Sequence, residues 1–338
     1  MQENPIKSVL KQLMKEIIWS RCRHKKGEKR DICCFSTRRG GSTWFMEIIG
    51  VNRGIRYLNQ PFSIYSAVSS HHIHLLPKTD YGEFIHLDKN QLEELKRFCK
   101  ALFAGHVVVN TPWRIWQHEF DFRSSRLVLK IVVAKAMIDW FDSEFDVDIV
   151  YSTRHPIPVS LSIIRNGWGL TVQAYLKNRT FMEKYLTETQ INFCWDVLKK
   201  GTLLEQHVLN WTLENLVPLK LLAQHPDWIY VSYEKTLLEP EVVIEDLAFR
   251  LDLEDIERMK KIANIPSLST KHLSTKQVRS LLLGHTRTPE QTQFLIERWK
   301  KDVSPDEEKR AMEILEKLEA PVYVYGETVS RLDTKLTS

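Results

Sequence analysis

Short apolar runs take turns with longer stretches of helical periodicity along most of this chain. Asp31–Phe35 reads as a buried strand and Thr43–Ile49 as the helix that follows it. The pairing returns at Leu127–Val132 before a helix around Lys135–Phe141, and at Asp148–Ser152 before a helix from Pro158 to Arg165. It returns again at Trp228–Val231 before a helix from Pro240 to Leu251. A short apolar run bounded by turn residues suits a strand covered on both faces, and a 3.6-residue recurrence suits a helix with one buried side. Strands that alternate with helices build βαβ units, so the expected fold is α/β with a central parallel sheet. Ser304, Pro305 and Glu307 have the spacing of a capping box with proline at the first helical position, which predicts a late helix from Pro305.

Two stretches break the rhythm. Residues 54–125 hold several His and Trp in irregular surroundings, and 171–227 reads as mostly helical. In open parallel sheets ligands sit at the carboxyl ends of the strands, where insertions collect, so both stretches are expected to wall a pocket. Ahead of the first strand, Ile6, Val9, Leu10, Leu13, Met14, Ile17 and Ile18 make a helical stripe opposite Lys7, Lys11 and Lys15, and a basic run leads on to Arg30. That pattern fits a helix docked on its own domain with a solvated linker behind it. It also fits a helix resting on an anionic membrane surface through residues 5–30. The chain is therefore divided into residues 1–30, an amphipathic helix and basic linker, and residues 31–330, the main domain.

Composition narrows the picture in three ways. The 338 residues are 43% hydrophobic, enough for a sizeable core. A net charge of +5 suits an anionic small ligand and does not call for nucleic acid. The five Cys are odd in number, form no C-x-x-C, and include the adjacent Cys33 and Cys34 in an apolar run. Neither a disulfide framework nor a zinc site is expected, and a reducing compartment fits better. No apolar run is long enough to span a bilayer and no secretory apolar region follows the first Met, so the expected location is cytoplasmic, with the membrane periphery as a second reading.

The chemistry begins at Ile32–Ile49, where a strand runs into a polar turn that opens directly into a helix. Gly40 and Gly41 allow positive φ and let backbone N–H groups face outward, Ser42 and Thr43 add hydroxyls at the helix start, and Arg38 and Arg39 add charge. That arrangement cradles a phosphate and makes the expected fold a P-loop-like three-layer α/β/α with helical insertions. A Walker A loop would need a Gly five residues before Gly41 and a Lys after it; this chain has neither, which disfavours an ATPase or GTPase. A second stretch, Ile149–Trp168, ends a strand at Ser152, places Arg154 beyond it, and carries Ser160 and Ser162 into the next helix. Arg154 and Ser162 together suit a second phosphate, one by a charge-assisted fork and the other by its hydroxyl.

Ser36–Trp44 resembles the 5′-phosphosulfate loop of sulfotransferases that use 3′-phosphoadenosine 5′-phosphosulfate (PAPS), in the Arg-bearing branch that includes bacterial and carbohydrate sulfotransferases. The resemblance puts Arg39 where that family has its catalytic Lys or Arg, and assigns Arg38, Gly40, Gly41, Ser42, Thr43 and Trp44 to the nucleotide. Arg154 and Ser162 match the eight-residue spacing of the family's 3′-phosphate motif, and Ile229–Leu253 resembles a later, mostly structural Tyr-Glu segment. The likeness runs from Asp31 to Tyr325. It implies sulfuryl transfer from PAPS to an acceptor hydroxyl, with PAP as product and no metal required. The acceptor is expected to be a hydroxyl-bearing small molecule, glycan or lipid, with a carbohydrate or lipid-linked alcohol favoured.

Sulfuryl transfer needs positive groups on the leaving phosphate, a base for the acceptor proton, and in-line alignment. Arg39 supplies the first. Lys130, at the end of the second strand, reads either as a second cation near the sulfuryl group or as a strand-end Lys in solvent. Relatives in the Arg-bearing branch often read Asn-Glu-Pro-Phe after the first helix; here the run is Asn59, Gln60, Pro61, Phe62. Glutamine cannot serve as a base, so Gln60 is left a role in orienting the acceptor. The substitute bases are His71, His72, His74, His106, Asp80 and Glu83, with His106 first, because it precedes a strand-like run and titrates near neutral pH. The alternative is a catalytically weak relative that binds PAP or PAPS and has lost its base.

Overall fold

Five parallel strands form the central sheet: β1 (Asp31–Ser36), β2 (Ile55–Asn59), β3 (Arg126–Ile131), β4 (Val147–Thr153) and β5 (Ile229–Ser232), in the spatial order β2-β3-β1-β4-β5. The computed structural model describes residues 13–14, 17–63, 73–79, 82–107, 109, 121–264 and 288–335. Every residue of β1, β3 and β5 is buried, as a parallel sheet covered on both faces requires. Along β1 the side chains alternate between two cores. Ile32 and Cys34 pack with Phe45, Ile48, Val128, Val150 and Leu247, while Cys33 and Phe35 pack with Phe98, Leu129, Phe141 and Tyr151 on the other face. The expected three layers are therefore present.

The helices are α1 (Ser42–Gly50), α2 (Lys89–Phe103), α3 (Ile138–Glu144), α4 (Pro156–Arg165), α5 (Val172–Lys177), α6 (Arg179–Tyr185), α7 (Glu188–Lys200), α8 (Leu203–Leu221), α9 (Tyr233–Leu238) and α10 (Pro240–Arg250), followed by shorter segments and the helix Pro305–Lys317. The last carries the expected capping box at Ser304. The 171–227 stretch is helical as read, and its α8 lies buried in a third core with Trp211, Leu213, Leu216 and Tyr323.

Three features differ from the sequence reading. The stretch 54–125 holds two regular elements: the edge strand β2, whose Arg56 and Tyr57 break any apolar run, and α2, which starts on an Asp88/Gln91 capping box. Helix α4 starts two residues early, at Pro156, because His155 Nδ1 accepts from the Ile157 amide at 3.3 Å and caps it. The basic run is exposed, as a solvated linker would be, but it is also tied to the domain. Arg23 and His24 pair with Arg123 and Ser124, and Lys26, Lys29 and Arg30 form ion pairs with Asp31, Asp252 and Asp146 respectively. Most of the stretch expected to form the N-terminal helix lies outside the described residues; of those described, Leu13, Met14 and Ile17 are exposed. All five cysteines are unpaired and buried. No helix among the described residues is long and apolar enough to cross a membrane.

Candidate functional site

The turn between β1 and α1 leaves the middle of the sheet, where β1 is flanked by β3 on one side and β4 on the other. Its backbone needs two left-handed residues, Arg39 at φ 62 and Gly41 at φ 89. Gly41 has a second reason to lack a side chain: a Cβ there would stand 2.7 Å from a ring carbon of Tyr233. Arg39 has no such excuse, and a non-glycine residue in this region marks a backbone held by its surroundings. Its side chain shows where the turn is aimed. Arg39 Nε donates to Ser162 Oγ at 2.9 Å, its guanidinium lies 5.8 Å from the Trp168 ring, and its carbonyl accepts from Arg154 Nη1 at 3.4 Å. The two stretches expected to hold separate phosphates thus meet at Arg39.

Arg154 lies over the Tyr233 ring at 4.2 Å, and that ring meets Trp44 edge-on at 5.3 Å. Tyr233, at the start of α9, therefore joins Gly41, Trp44 and Arg154 in one cluster. A further cation, Arg298, sits in the 3-10 turn Arg298–Asp302. Burial lowers its pKa, and the neighbouring Arg154 lowers it further; burial followed by Arg154 likewise lowers that of Arg39. Among the described residues none of Arg39, Arg154 and Arg298 pairs with a carboxylate. Arg154 and Arg298 feel the charges of Glu234 and Asp302 without an ion pair to either, and the mutual repulsion of the three cations suits an anion of more than one charge.

Lys130 is 5% exposed, so the reading as a solvent lysine does not hold. Its Nζ donates to Thr43 Oγ1 at 3.0 Å, and burial brings its pKa down to about 8, opposed by the charge of Glu47 and helped slightly by Arg39. Gln60 arrives at the same place through the backbone. Asn59 pairs with Lys130 across β2 and β3, and the Gln60 amide donates to the Lys130 carbonyl at 3.0 Å with φ 53.

Arg38 faces the other way, which corrects its expected place on the nucleotide. Its Nη2 donates to Glu214 Oε1 at 2.7 Å and to Thr171 Oγ1 at 3.4 Å. His106 is also not brought to the site. It is exposed beyond the carboxyl end of α2, and the neighbouring Gly105 packs on His24, whose strand pairs with Arg123 and Ser124 at the amino end of β3. A base there would sit the length of the sheet away from Arg39. Of the other substitutes, His71, His72 and Asp80 lie outside the described residues. Glu83 is buried, its pKa raised by burial and by the charge of Glu214, and it accepts from Tyr175 Oη at 3.5 Å. Ser160 is buried and does not share the position of Ser162. Arg298 and Tyr233 are the residues that the sequence reading missed; a lone Arg before a capping box gives no signal of contact with Arg154.

No family model matches the chain, and no curated protein matches it. Solved structures do. A mouse sulfotransferase, SULT7A1, complexed with PAP is 17% identical, over 87% of this chain and 86% of that one, with a TM-score of 0.39. The sulfotransferase domain from the curacin biosynthetic pathway is 16% identical, over 87% and 99%, with a TM-score of 0.42. The sulfotransferase domain from the Synechococcus PCC 7002 olefin synthase is 14% identical, over 88% and 98%, with a TM-score of 0.44. Among the described residues no group of three or more His, Cys, Asp or Glu could hold a metal ion.

Proposed function

We propose that this chain binds PAPS and transfers its sulfuryl group to an acceptor hydroxyl, releasing PAP. The observation that carries the reading is the meeting of two sequence stretches at Arg39: a glycine turn opening into α1, and the Arg154/Ser162 pair. The turn amides, Ser42 and Thr43 suit the 5′-phosphate, while Arg154, Ser162 and Arg298 suit the 3′-phosphate. Gly40 and Gly41 leave the backbone free to approach. In the transfer, the acceptor oxygen bonds to sulfur, the bond from sulfur to the 5′-phosphate oxygen breaks, and the acceptor proton passes to a base. Arg39 and Lys130 favour the charge that builds on the leaving oxygen.

Isothermal calorimetry with PAP and with Mg-ATP, then a radiolabelled PAPS assay on mixed acceptors, tests the reading. PAP should bind and Mg-ATP should not. Arg154→Ala should lose roughly ten- to a hundredfold in PAP affinity, the worth of one charge-assisted contact of ~1.5–3 kcal/mol. Equal binding by the variant would remove Arg154 from the 3′-phosphate. The acceptor proposed is a carbohydrate or lipid-linked alcohol and the location cytoplasmic. The exposed Leu13, Met14 and Ile17 support a peripheral contact with anionic membrane, which sedimentation with acidic vesicles before and after deletion of residues 1–24 would test.

A second reading has its own observation. Gln60 stands beside Lys130 where resembling sequences have Glu, and a chain without its base would bind PAP and not turn over.

A further inference from the structure

Against the phosphate turn, held to Thr37 and Arg38, lies a buried polar network built around two consecutive residues of α8. Glu214 Oε1 accepts from Arg38 Nη2 at 2.7 Å, from Asn210 Nδ2 at 2.6 Å and from Thr171 Oγ1 at 3.3 Å, and its Oε2 accepts from Lys135 Nζ at 2.9 Å. Lys135 in turn donates to the carbonyls of Val132 at 3.0 Å, just past β3, and of Ser36 at 3.5 Å, the end of β1. Asn215 Oδ1 accepts from Thr37 Oγ1 and from Tyr151 Oη, both at 3.0 Å, while its own amide donates to the Trp211 carbonyl. Two adjacent residues of a buried helix therefore grip two adjacent residues of the turn, Thr37 and Arg38. The next residue, Arg39, is the one with φ 62. The left-handed step reverses the chain, so Arg38 is held from behind and Arg39 is presented forward to Ser162.

We infer that Glu214 and Asn215 are positioning residues that lock the phosphate turn in its anion-receiving shape, and that the paired arginines divide the work, Arg38 as the anchor and Arg39 as the ligand-facing cation. The inference rests on the proposed PAPS site. A network of this kind resists deformation because each buried polar group left unpaired is costly. The lock also reaches beyond the turn. Thr171, held by Asn210 and Glu214, opens the helical insertion, and Trp168 three residues earlier lies over Arg39. Ionisable groups around Glu214 are Arg38, Lys135, Glu83, Tyr175 and His207; Lys135 and Arg38 hold its pKa down against the effect of burial.

The test is hydrogen–deuterium exchange of the ligand-free protein, followed over the peptide 36–43 and over β4 as an internal reference, with PAP calorimetry alongside. Thr37→Val removes the hydroxyl from Asn215 without changing shape. Arg38→Met leaves Glu214 paired with Lys135, so the buried charges stay balanced. Thr37→Ser keeps the hydroxyl. Thr37→Val and Arg38→Met should each speed exchange in 36–43 by about tenfold or more while β4 changes less, the mark of a local opening. Both should also weaken PAP by about tenfold, although neither side chain faces the ligand, and Thr37→Ser should restore both readouts. Exchange unchanged in the turn, exchange rising equally in β4, or a loosened turn with undiminished PAP affinity would each overturn the assignment. If the wild type fails to bind PAP, the PAPS reading falls, and the exchange data alone decide whether the lock exists.

Discussion

Gly41→Ala is the substitution whose cost can be worked most directly from the structure. Two effects act there. At φ 89 an alanine sits in the left-handed region, which costs roughly 1–2 kcal/mol, offset by about 0.4–1 kcal/mol because alanine narrows the unfolded ensemble. The new Cβ would also stand 2.7 Å from Tyr233 Cδ2, well inside the usual carbon–carbon contact of about 3.5–4.0 Å. The ring cannot retreat freely, because Trp44 packs at 5.3 Å and the Arg154 guanidinium lies 4.2 Å away. Overpacking of this kind costs ~1–3 kcal/mol. Gly326 supplies the control: its φ is 82, and a Cβ there meets nothing within 4 Å, so Gly326→Ala reports backbone strain alone. The assay is denaturant unfolding of both variants and of Gly41→Ala in a Tyr233→Ala background. Gly41→Ala should lower stability by about 1–3 kcal/mol more than Gly326→Ala, and the excess should vanish once the ring is gone. Equal costs at the two glycines, or an excess that survives loss of the ring, would refute the close approach of Tyr233 to the turn.

Lys130 should give kcat/KM an alkaline limb near its folded pKa of about 8, because the charged form is the useful one and is lost as pH rises; Lys130→Arg should move the limb upward, and coincident limbs would assign it to another group. The same shift implies that stability rises with pH between about 8 and the ordinary lysine value of 10.5, since the unfolded chain holds that proton more tightly, a slope that Lys130→Met should remove in pH-dependent unfolding. Gln60→Glu should not raise turnover, because it would place a charge in a site not built for it; a gain of roughly 10²–10⁴ would instead show a lost base and favour the second reading. His106→Ala should leave PAPS turnover and PAP binding unchanged, and a clear loss of either would contradict its place at the amino end of the sheet.

The buried strands were legible because each is a nearly unbroken apolar run: β1, β3 and β5 fall within a residue or two of their expected limits. The edge strand β2 was not, since Arg56 and Tyr57 interrupt it and its burial alternates. Helix α2 carries a legible capping box at Asp88 and Gln91, but it sits within a stretch of irregular His and Trp spacing that shows no sustained helical period. Within the site, the glycine turn and the spacing from Arg154 to Ser162 were visible because each lies within a few residues along the chain. Arg38 was misplaced because a pattern cannot say which of two adjacent arginines turns forward; that depends on Glu214, 176 residues away. Arg298 and Tyr233 escaped for the same reason, as their partner Arg154 lies far away along the chain. His106 failed because proximity to an apolar run says nothing about which end of the sheet the run reaches.

The five buried cysteines give the chain a built-in clock. Burial raises the pKa of each, bringing Cys34 and Cys194 up to about 12 and raising that of Cys22, so the native protein offers almost no thiolate to an alkylating reagent at neutral pH. Modification must then wait for the surrounding structure to open, and its rate measures how often that happens. Cys33 and Cys34 report from the central strand, Cys99 from α2, Cys194 from the helical insertion and Cys22 from the seam near residue 23. Labelling by mass spectrometry, thiol by thiol, would therefore rank these layers by how readily each comes apart, without the introduction of a single foreign probe.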